Sequence, residues 1–208
     1  MSGDLDPGDV AVHRCALAES EAASLAPLLS PEEEARAARF AFPRERDRFT
    51  VSRGRLRLLL ARLAGGDPRG LRLETDAGGK PRLAEGRLRF NVSHSGALWA
   101  CAVALDREVG LDVEEVREDR DVERLAGRYF APAEAGAILA LPAAERSAAF
   151  HRCWTRKEAA LKARGTGITV PLESVAEDSR WTLRDVDLGP GFAAAVCAEG
   201  PVRAVSLR

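Results

Sequence analysis

Apolar residues recur along this chain with two different periods, and each change of period marks an element. Ser30 followed by Pro31, with Glu33 behind it, has the form of a capped helix start and predicts a helix over 30–40. Leucines at helical spacing over 47–63, stopped by Gly65 and Gly66, predict a second helix with its terminator. The period then drops to two. Strands are expected over 71–74, 88–92 and 98–105, with Asp106-Arg107-Glu108 as the turn into another strand at Val109. Helices follow over 122–130, 133–140 and 143–163, and strands return over 181–186, 192–198 and 202–207.

Helices and antiparallel strands are segregated within each half of this order, which points to an α+β class rather than a parallel doubly wound sheet. The halves also resemble each other faintly. Arg39-Phe-Ala-Phe-Pro43-Arg-Glu45 parallels Arg128-Tyr-Phe-Ala-Pro132-Ala-Glu134, and Trp99-Ala-Cys-Ala-Val-Ala-Leu105 parallels Phe192-Ala-Ala-Ala-Val-Cys-Ala198. A twofold likeness suggests two copies of a helix-then-strand unit, since a solenoid needs at least three short repeats. We therefore expect an N-terminal subdomain over 1–105 and a C-terminal subdomain over 106–208, each with helices packed on an antiparallel sheet. With 208 residues the chain can bury roughly 70% of its unfolded surface, enough for such a pair.

Composition narrows the function. A formal charge of −1 with eleven aromatics gives no basic footprint for nucleic acid. Cys15, Cys101, Cys153 and Cys197 lack a Cys-x-x-Cys pair and lie in apolar or helical contexts, so buried free thiols in a reducing compartment are expected. No apolar run reaches eighteen residues, and Met1 is followed by an acidic stretch without an apolar core. A cytoplasmic enzyme without a membrane partner is the expectation.

The chemistry concentrates in two places. Val109, Leu111 and Val113 alternate with Gly110, Asp112 and Glu114, so both carboxylates share one face of a strand. Glu158 and Lys162 stand four apart at helical spacing, in line with Trp154. Oxygen ligands from a strand and a helix, completed by water and a substrate phosphate, suit Mg²⁺, and a lysine beside them can neutralise a departing phosphate oxygen. Each half alone is more often a solvated face with surface ion pairs. The surrounding residues change that balance: Phe90-Asn-Val-Ser-His-Ser95 and Gly79-Lys-Pro81 precede the strand, and Gly165-Thr-Gly-Ile-Thr-Val-Pro171 follows the helix.

Together these segments resemble the 4'-phosphopantetheinyl transferases of the Sfp type. The family's Gly-x-Asp-x-Glu strand is Gly110-Leu-Asp112-Val-Glu114 here, and its Trp-Ser/Thr-x-Lys-Glu-x-x-x-Lys helix is Trp154-Thr155-Arg-Lys157-Glu158-Ala-Ala-Leu-Lys162. Ser30-Pro-Glu32, Arg39-Phe40, Gly79-Lys80-Pro81, Asn91-Val-Ser93-His94-Ser95, Arg128-Tyr-Phe130 with Glu134, and Gly165-Thr-Gly167 complete the set in the family's order.

The resemblance implies two similar α/β subdomains related by a pseudo-twofold, with coenzyme A in the cleft between them. Asp112, Glu114 and Glu158 would hold Mg²⁺ on its pyrophosphate, and Lys162 would steady the phosphate that leaves with the nucleotide. Arg53, Lys80, Pro81, Asn91, Ser93 and His94, with Asp112 and Lys162, fall on positions that contact coenzyme A. Glu33 replaces a lysine of some members, which shifts the expected 3'-phosphate clamp to Arg36 or the Arg48–Arg53 region. The implied reaction moves 4'-phosphopantetheine from coenzyme A to a serine of an apo acyl or peptidyl carrier protein and releases adenosine 3',5'-bisphosphate. Glu158, or a water held by Glu114, would take the serine proton. The carrier is expected to dock near the cleft, through segment 164–175 or the helix from Ala133, on a monomeric enzyme. Two other classes share these residues: another Mg²⁺-dependent pyrophosphate-cleaving phosphotransferase or hydrolase, and a non-catalytic module that binds coenzyme A or a carrier.

Overall fold

Chain order and burial period together place four layers on one another. The computed structural model describes residues 5–76, 79–166, 170–176 and 178–208. In the first half, β1 (Val10–Ala16) leads through short helical turns, including α1 (Ala22–Leu25), to α2 (Pro31–Ala37) and α3 (Pro43–Ala64). A small hairpin of β2 (Leu73–Thr75) and β3 (Pro81–Leu83) follows, then β4 (Leu88–Ser95) and β5 (Leu98–Leu105). The second half runs β6 (Val109–Glu115), α4 (Val122–Tyr129), α5 (Pro132–Leu139), α6 (Ala143–Arg164), β7 (Trp181–Asp185), β8 (Phe192–Glu199) and β9 (Val205–Leu207).

The first sheet has the order β4-β5-β1-β9 and the second β6-β8-β7, antiparallel except where β9 runs parallel to β1. The two orders repeat one plan. In each half the opening strand and the later hairpin build three neighbouring strands with the last-formed strand, β5 or β8, in the middle. Those middle strands carry the two resembling segments, Trp99–Leu105 and Phe192–Ala198. The α+β class expected from the segregation of elements is what the chain adopts. The other resembling pair is less equal: Pro43 and Pro132 each open a helix, but one of 22 residues and one of 8.

Period-two burial explains the layering. Ala100, Ala102 and Ala104 of β5 join Val109, Leu111, Val113, Ala194, Val196 and Ala198 in a core between the sheets. Trp99, Cys101 and Val103 of the same strand face Val51, Leu56 and Leu60 of α3. On the far side, Ala195 and Cys197 of β8 pack against Phe150, Ala159, Ala160 and Ala163 of α6. Strands buried on both faces need no polar alternation, which is why β5 and β8 read as continuous apolar runs. The small alanines that fill the middle let the sheets approach.

Several boundaries differ from expectation for local reasons. The second helix starts at Pro43 rather than at 47, because Pro43 takes N1 with Phe42 as an extended N-cap. The first stops at Ala37, and its expected capping box forms: Glu33 N–H donates to Ser30 Oγ while Ser30 N–H donates to a Glu33 carboxylate oxygen. The last strand is the short β9, and it pairs with the first half's sheet instead of the second's. Strand β1 carries seven residues that no expectation covered; only its first four are continuously buried. All four cysteines are free, with Cys101 and Cys197 buried but Cys15 and Cys153 partly exposed. Among the described residues no helix is long and apolar enough to cross a membrane.

Candidate active site

Gly110, Asp112 and Glu114 point from β6 toward α6, and the glycine is there because the helix comes so close. A Cβ at Gly110 would stand 2.1 Å from Ala159 O and 2.3 Å from Ala163 N, both backbone atoms. Only a residue without a side chain admits α6 at that distance. The approach brings Lys162 and Glu158 beside the strand's carboxylates, and a cavity of about 360 Å³ opens between Ser93, His94, Asp112, Glu114, Trp154, Glu158 and Lys162.

Asp112 is the buried centre of this group. Lys162 Nζ donates to its Oδ1 at 2.5 Å, and Ser93 Oγ donates to the same oxygen at 3.1 Å. Burial pushes its carboxyl above the usual range, while the Lys162 ammonium and the Ser93 hydroxyl oppose that shift and Glu114 adds to it. The other oxygen, Asp112 Oδ2, is buried without any hydrogen-bond partner. A buried anionic oxygen left in that state is costly unless a cation or donor meets it. Glu158 is also pushed above its ordinary value, first by burial and then by Asp112 and Glu114, with Lys162 opposing. The pocket thus holds more negative charge than its one lysine offsets.

The strand β4 supplies the opposite wall through a comb of side chains. Leu111 N–H donates to Asn91 Oδ1 at 2.8 Å, Val113 N–H to Ser93 Oγ at 3.3 Å, and Glu115 N–H to Ser95 Oγ at 3.0 Å. Ser95 Oγ in turn donates to Glu114 Oε2 at 3.0 Å. Phe90 and Val92, the alternate residues, pack toward α3.

The expected site residues divide into those brought together and those that are not. Asp112, Glu114, Glu158, Lys162, Ser93 and His94 line the one cavity. Asn91 acts on the backbone of β6 beside it. His94 stands at the mouth, held toward its neutral form by partial desolvation, Arg48 and Lys162. Arg48 donates to Gly96 O at 2.8 Å, so of the arginines on α3 it is the one anchored next to this mouth. Arg53 turns instead to Glu33, with its guanidinium over Phe49. The Lys80 ammonium is buried and donates to Glu108 and to Val109 O at 2.9 and 2.8 Å, and Pro81 opens β3, so this pair supports the strand rather than lining the cavity. Among the described residues no three of His, Cys, Asp and Glu form a ready-made metal-holding group. Lys162 and Ser93 occupy one oxygen of Asp112, and Ser95 occupies one of Glu114.

Two further residues had no role assigned from sequence. Lys157 is buried on the next face of α6, donating to Leu172 O and Val175 O at 3.0 Å each and pairing with Glu134 at 2.8 Å. Glu134 also accepts from Ala131 N–H at the start of α5, a structural part. Trp154 packs against Tyr129, Phe130 and Phe150 as a ring behind Glu158. Ser95 lies in the Asn91–Ser95 segment, and the polar residues Asn91, Ser93 and Ser95 on one face of β4 each meet the residue twenty positions on.

Comparison with known proteins bears on this arrangement. Residues 108–198 match the model of the 4'-phosphopantetheinyl transferase superfamily, and residues 17–106 match that of the 4'-phosphopantetheinyl transferase N-terminal domain. The 4'-phosphopantetheinyl transferase psf-1 of Bacillus pumilus is 31% identical over 203 residues, covering 90% of this chain and 86% of that protein. This chain belongs to the 4'-phosphopantetheinyl transferase family. The 4'-phosphopantetheinyl transferase HetI of Nostoc is 45% identical over 72% of this chain, and a putative 4'-phosphopantetheinyl transferase of Synechocystis is 38% identical over 73%. The aligned part spans 65% of HetI's length and 63% of the Synechocystis protein's. Within this family the Gly110-Leu-Asp112-Val-Glu114 strand falls in the superfamily match, and the Asn91–Ser95 comb in the N-terminal one.

Proposed function

We propose that this chain transfers 4'-phosphopantetheine from coenzyme A to a serine hydroxyl of an apo acyl or peptidyl carrier protein, as a Mg²⁺-dependent monomer. The observation that carries the proposal is the cavity where β6 and α6 meet, which gathers Asp112, Glu114, Glu158 and Lys162. In balance, the serine oxygen forms a bond to the β-phosphorus and the bond from that phosphorus to the bridging oxygen breaks. The serine proton goes to the enzyme, and adenosine 3',5'-bisphosphate departs.

The residues present fit a divalent cation. Asp112 Oδ2 is buried and unpartnered, and the Glu158 carboxyl is pushed above its ordinary value first by burial and then by Asp112 and Glu114, with Lys162 opposing. Asp112, Glu114 and Glu158 would hold it, an all-oxygen set that suits Mg²⁺. When bound, the cation supplies charge neutralisation on the pyrophosphate. The rest is work of this chain. Lys162, already seated on Asp112, offers an ammonium to the oxygen on which charge develops. Glu158, partly buried at the wall of the cavity, is placed to accept the serine proton. Arg48 and His94 at the mouth offer donors to the nucleotide's phosphates. Most of the acceleration then comes from alignment and charge, since phosphoryl transfer asks little covalent work of a protein. Four free thiols favour a cytoplasmic setting.

Large exposed apolar side chains among the described residues are Phe42, Leu58 and Leu207, none of them on the helix from Ala133. Of the segment 164–175, residues 167–169 lie outside the described residues.

The test is loading of coenzyme A onto a panel of apo-carriers, read by intact mass, with and without a chelator. A mass gain that needs both carrier and Mg²⁺ supports the proposal. Release of phosphate or nucleotide without any carrier would turn it toward a hydrolase, and coenzyme A binding with no turnover toward a binding module.

A further inference from the structure

The two sheets do not meet only through apolar packing. Their edge strands, β4 and β6, lie side by side, and β4 presents side chains where a sheet would present carbonyls. Asn91, Ser93 and Ser95 each accept a backbone N–H from the residue twenty positions on, so the offset is constant and the comb fixes the register of β6. A strand edge whose N–H groups are capped in this way cannot slide by one residue without breaking all three bonds.

Two of the three teeth do more. Ser93 Oγ takes Val113 N–H and gives its proton to Asp112, and Ser95 Oγ takes Glu115 N–H and gives its proton to Glu114. The same two-bond bridge therefore repeats at a spacing of two, once for each carboxylate of the strand. A hydroxyl has one proton to give; the incoming N–H fills the lone-pair side and leaves the carboxylate as its partner. Ser93 also receives Lys162 Nζ at 3.4 Å, whereas Ser95 Oγ joins only the Glu115 N–H to Glu114 among the described contacts. Beside it, Gly96 turns at φ +53, where a Cβ would come within 3.0 Å of Glu115 Oε2, so the turn after Ser95 is pressed onto β6 as well.

We propose that Ser95 is a positioning residue that orients the Glu114 carboxylate toward the cavity for a divalent cation, without touching substrate itself. Outer-shell donors of this kind set the angle of a ligating oxygen and typically change metal affinity 10- to 100-fold when removed. The inference rests on the cation reading of the site given above, and its test does not need turnover.

Mn²⁺ is titrated into the purified full chain with coenzyme A present and free ion is followed by electron paramagnetic resonance. The wild type, Ser95→Ala, Ser95→Thr and Ser52→Ala are compared, folding being checked by circular dichroism. Ser52 accepts the Trp99 indole N–H at 3.0 Å, does not line the cavity, and serves as a lost-hydrogen-bond control. The expected result is Mn²⁺ affinity weakened roughly 10- to 100-fold in Ser95→Ala, near wild type in Ser95→Thr, and unchanged in Ser52→Ala. Should the alanine variant not fold, Ser95→Cys, which keeps the volume and loses the strong donor, takes its place. Wild-type affinity in that variant overturns the positioning role and leaves the cation reading standing. Equal weakening in Ser95→Thr also overturns it, because the hydroxyl is then not the agent. A wild type that binds no Mn²⁺ overturns both.

Discussion

Lys162 Nζ stands 2.5 Å from Asp112 Oδ1, joining the last turn of α6 to the middle of β6. The carboxylate side chain is 6% exposed and the lysine 29%, so the pair is asymmetric: the anion depends on the cation more than the reverse. Lys162→Ala is expected to cost about 3 kcal/mol, the low end for a buried pair losing one partner. It should also lower carrier loading by ~100-fold or more, as loss of a group that meets developing charge does. Urea denaturation and intact mass measure the two effects. Adding Asp112→Asn to Lys162→Ala should recover part of the stability, because the stranded charge is gone, while loading stays lost.

Gly110→Ala tests the close approach of α6. The new methyl has no flexible neighbour to displace, only Ala159 O and Ala163 N. We expect a loss beyond the ~1–3 kcal/mol usual for overpacking, seen as a large fall in Tm or as insoluble protein. A variant that melts like the wild type would mean that α6 can back away from β6.

Lys157 holds a different part of the molecule. Its ammonium donates to Leu172 O and Val175 O and pairs with Glu134, so it ties α6 to the segment that follows and to α5. Lys157→Met keeps the stem and removes the charge. Hydrogen exchange should accelerate over 172–175, and stability should fall by about 2–3 kcal/mol, since bonds to charged donors contribute ~1.5–3 kcal/mol each and the apolar stem remains.

His13 sets a pH dependence. Its ring is held down to about 4 from an ordinary 6.5, first by burial and then by Arg62 and Arg208. The fold therefore favours the neutral ring. Its contribution is fully present above pH 6.5 and is lost as pH falls from 6.5 toward 4, by up to about 3 kcal/mol. Urea midpoints of the wild type and His13→Asn should differ in slope across that window and run parallel above it.

The fold was legible wherever one period ruled a long segment. Leu98–Leu105, Phe192–Glu199 and the 22-residue α6 lie within a residue of where continuous apolar runs or helical spacing put them. Strand β1 escaped because Val-Ala-Val-His-Arg-Cys-Ala is buried without a break at one end and mixed at the other. The partner of β9 is a long-range choice that no local pattern encodes. In the site, Asp112, Glu114, Glu158 and Lys162 were readable because their spacing fixes a face. Where the basic side chains of Arg53 and Lys80 settle was not legible, since each goes to a carboxylate brought close only by the fold, Glu33 and Glu108. The comb was invisible until β4 and β6 lay together, although its regular spacing was in the sequence throughout.

The pairing of β9 with β1 has a consequence for how the molecule comes together. Val10 and Val205 are register partners, so a fragment ending at 105 would bare one side of its sheet and a fragment starting at 106 would carry an orphan segment. Cutting the molecule at the midpoint of its duplication should thus yield pieces that must re-associate before either is sound. Closing so long a loop also makes β9 a late arrival in folding and the first strand to fray on heating.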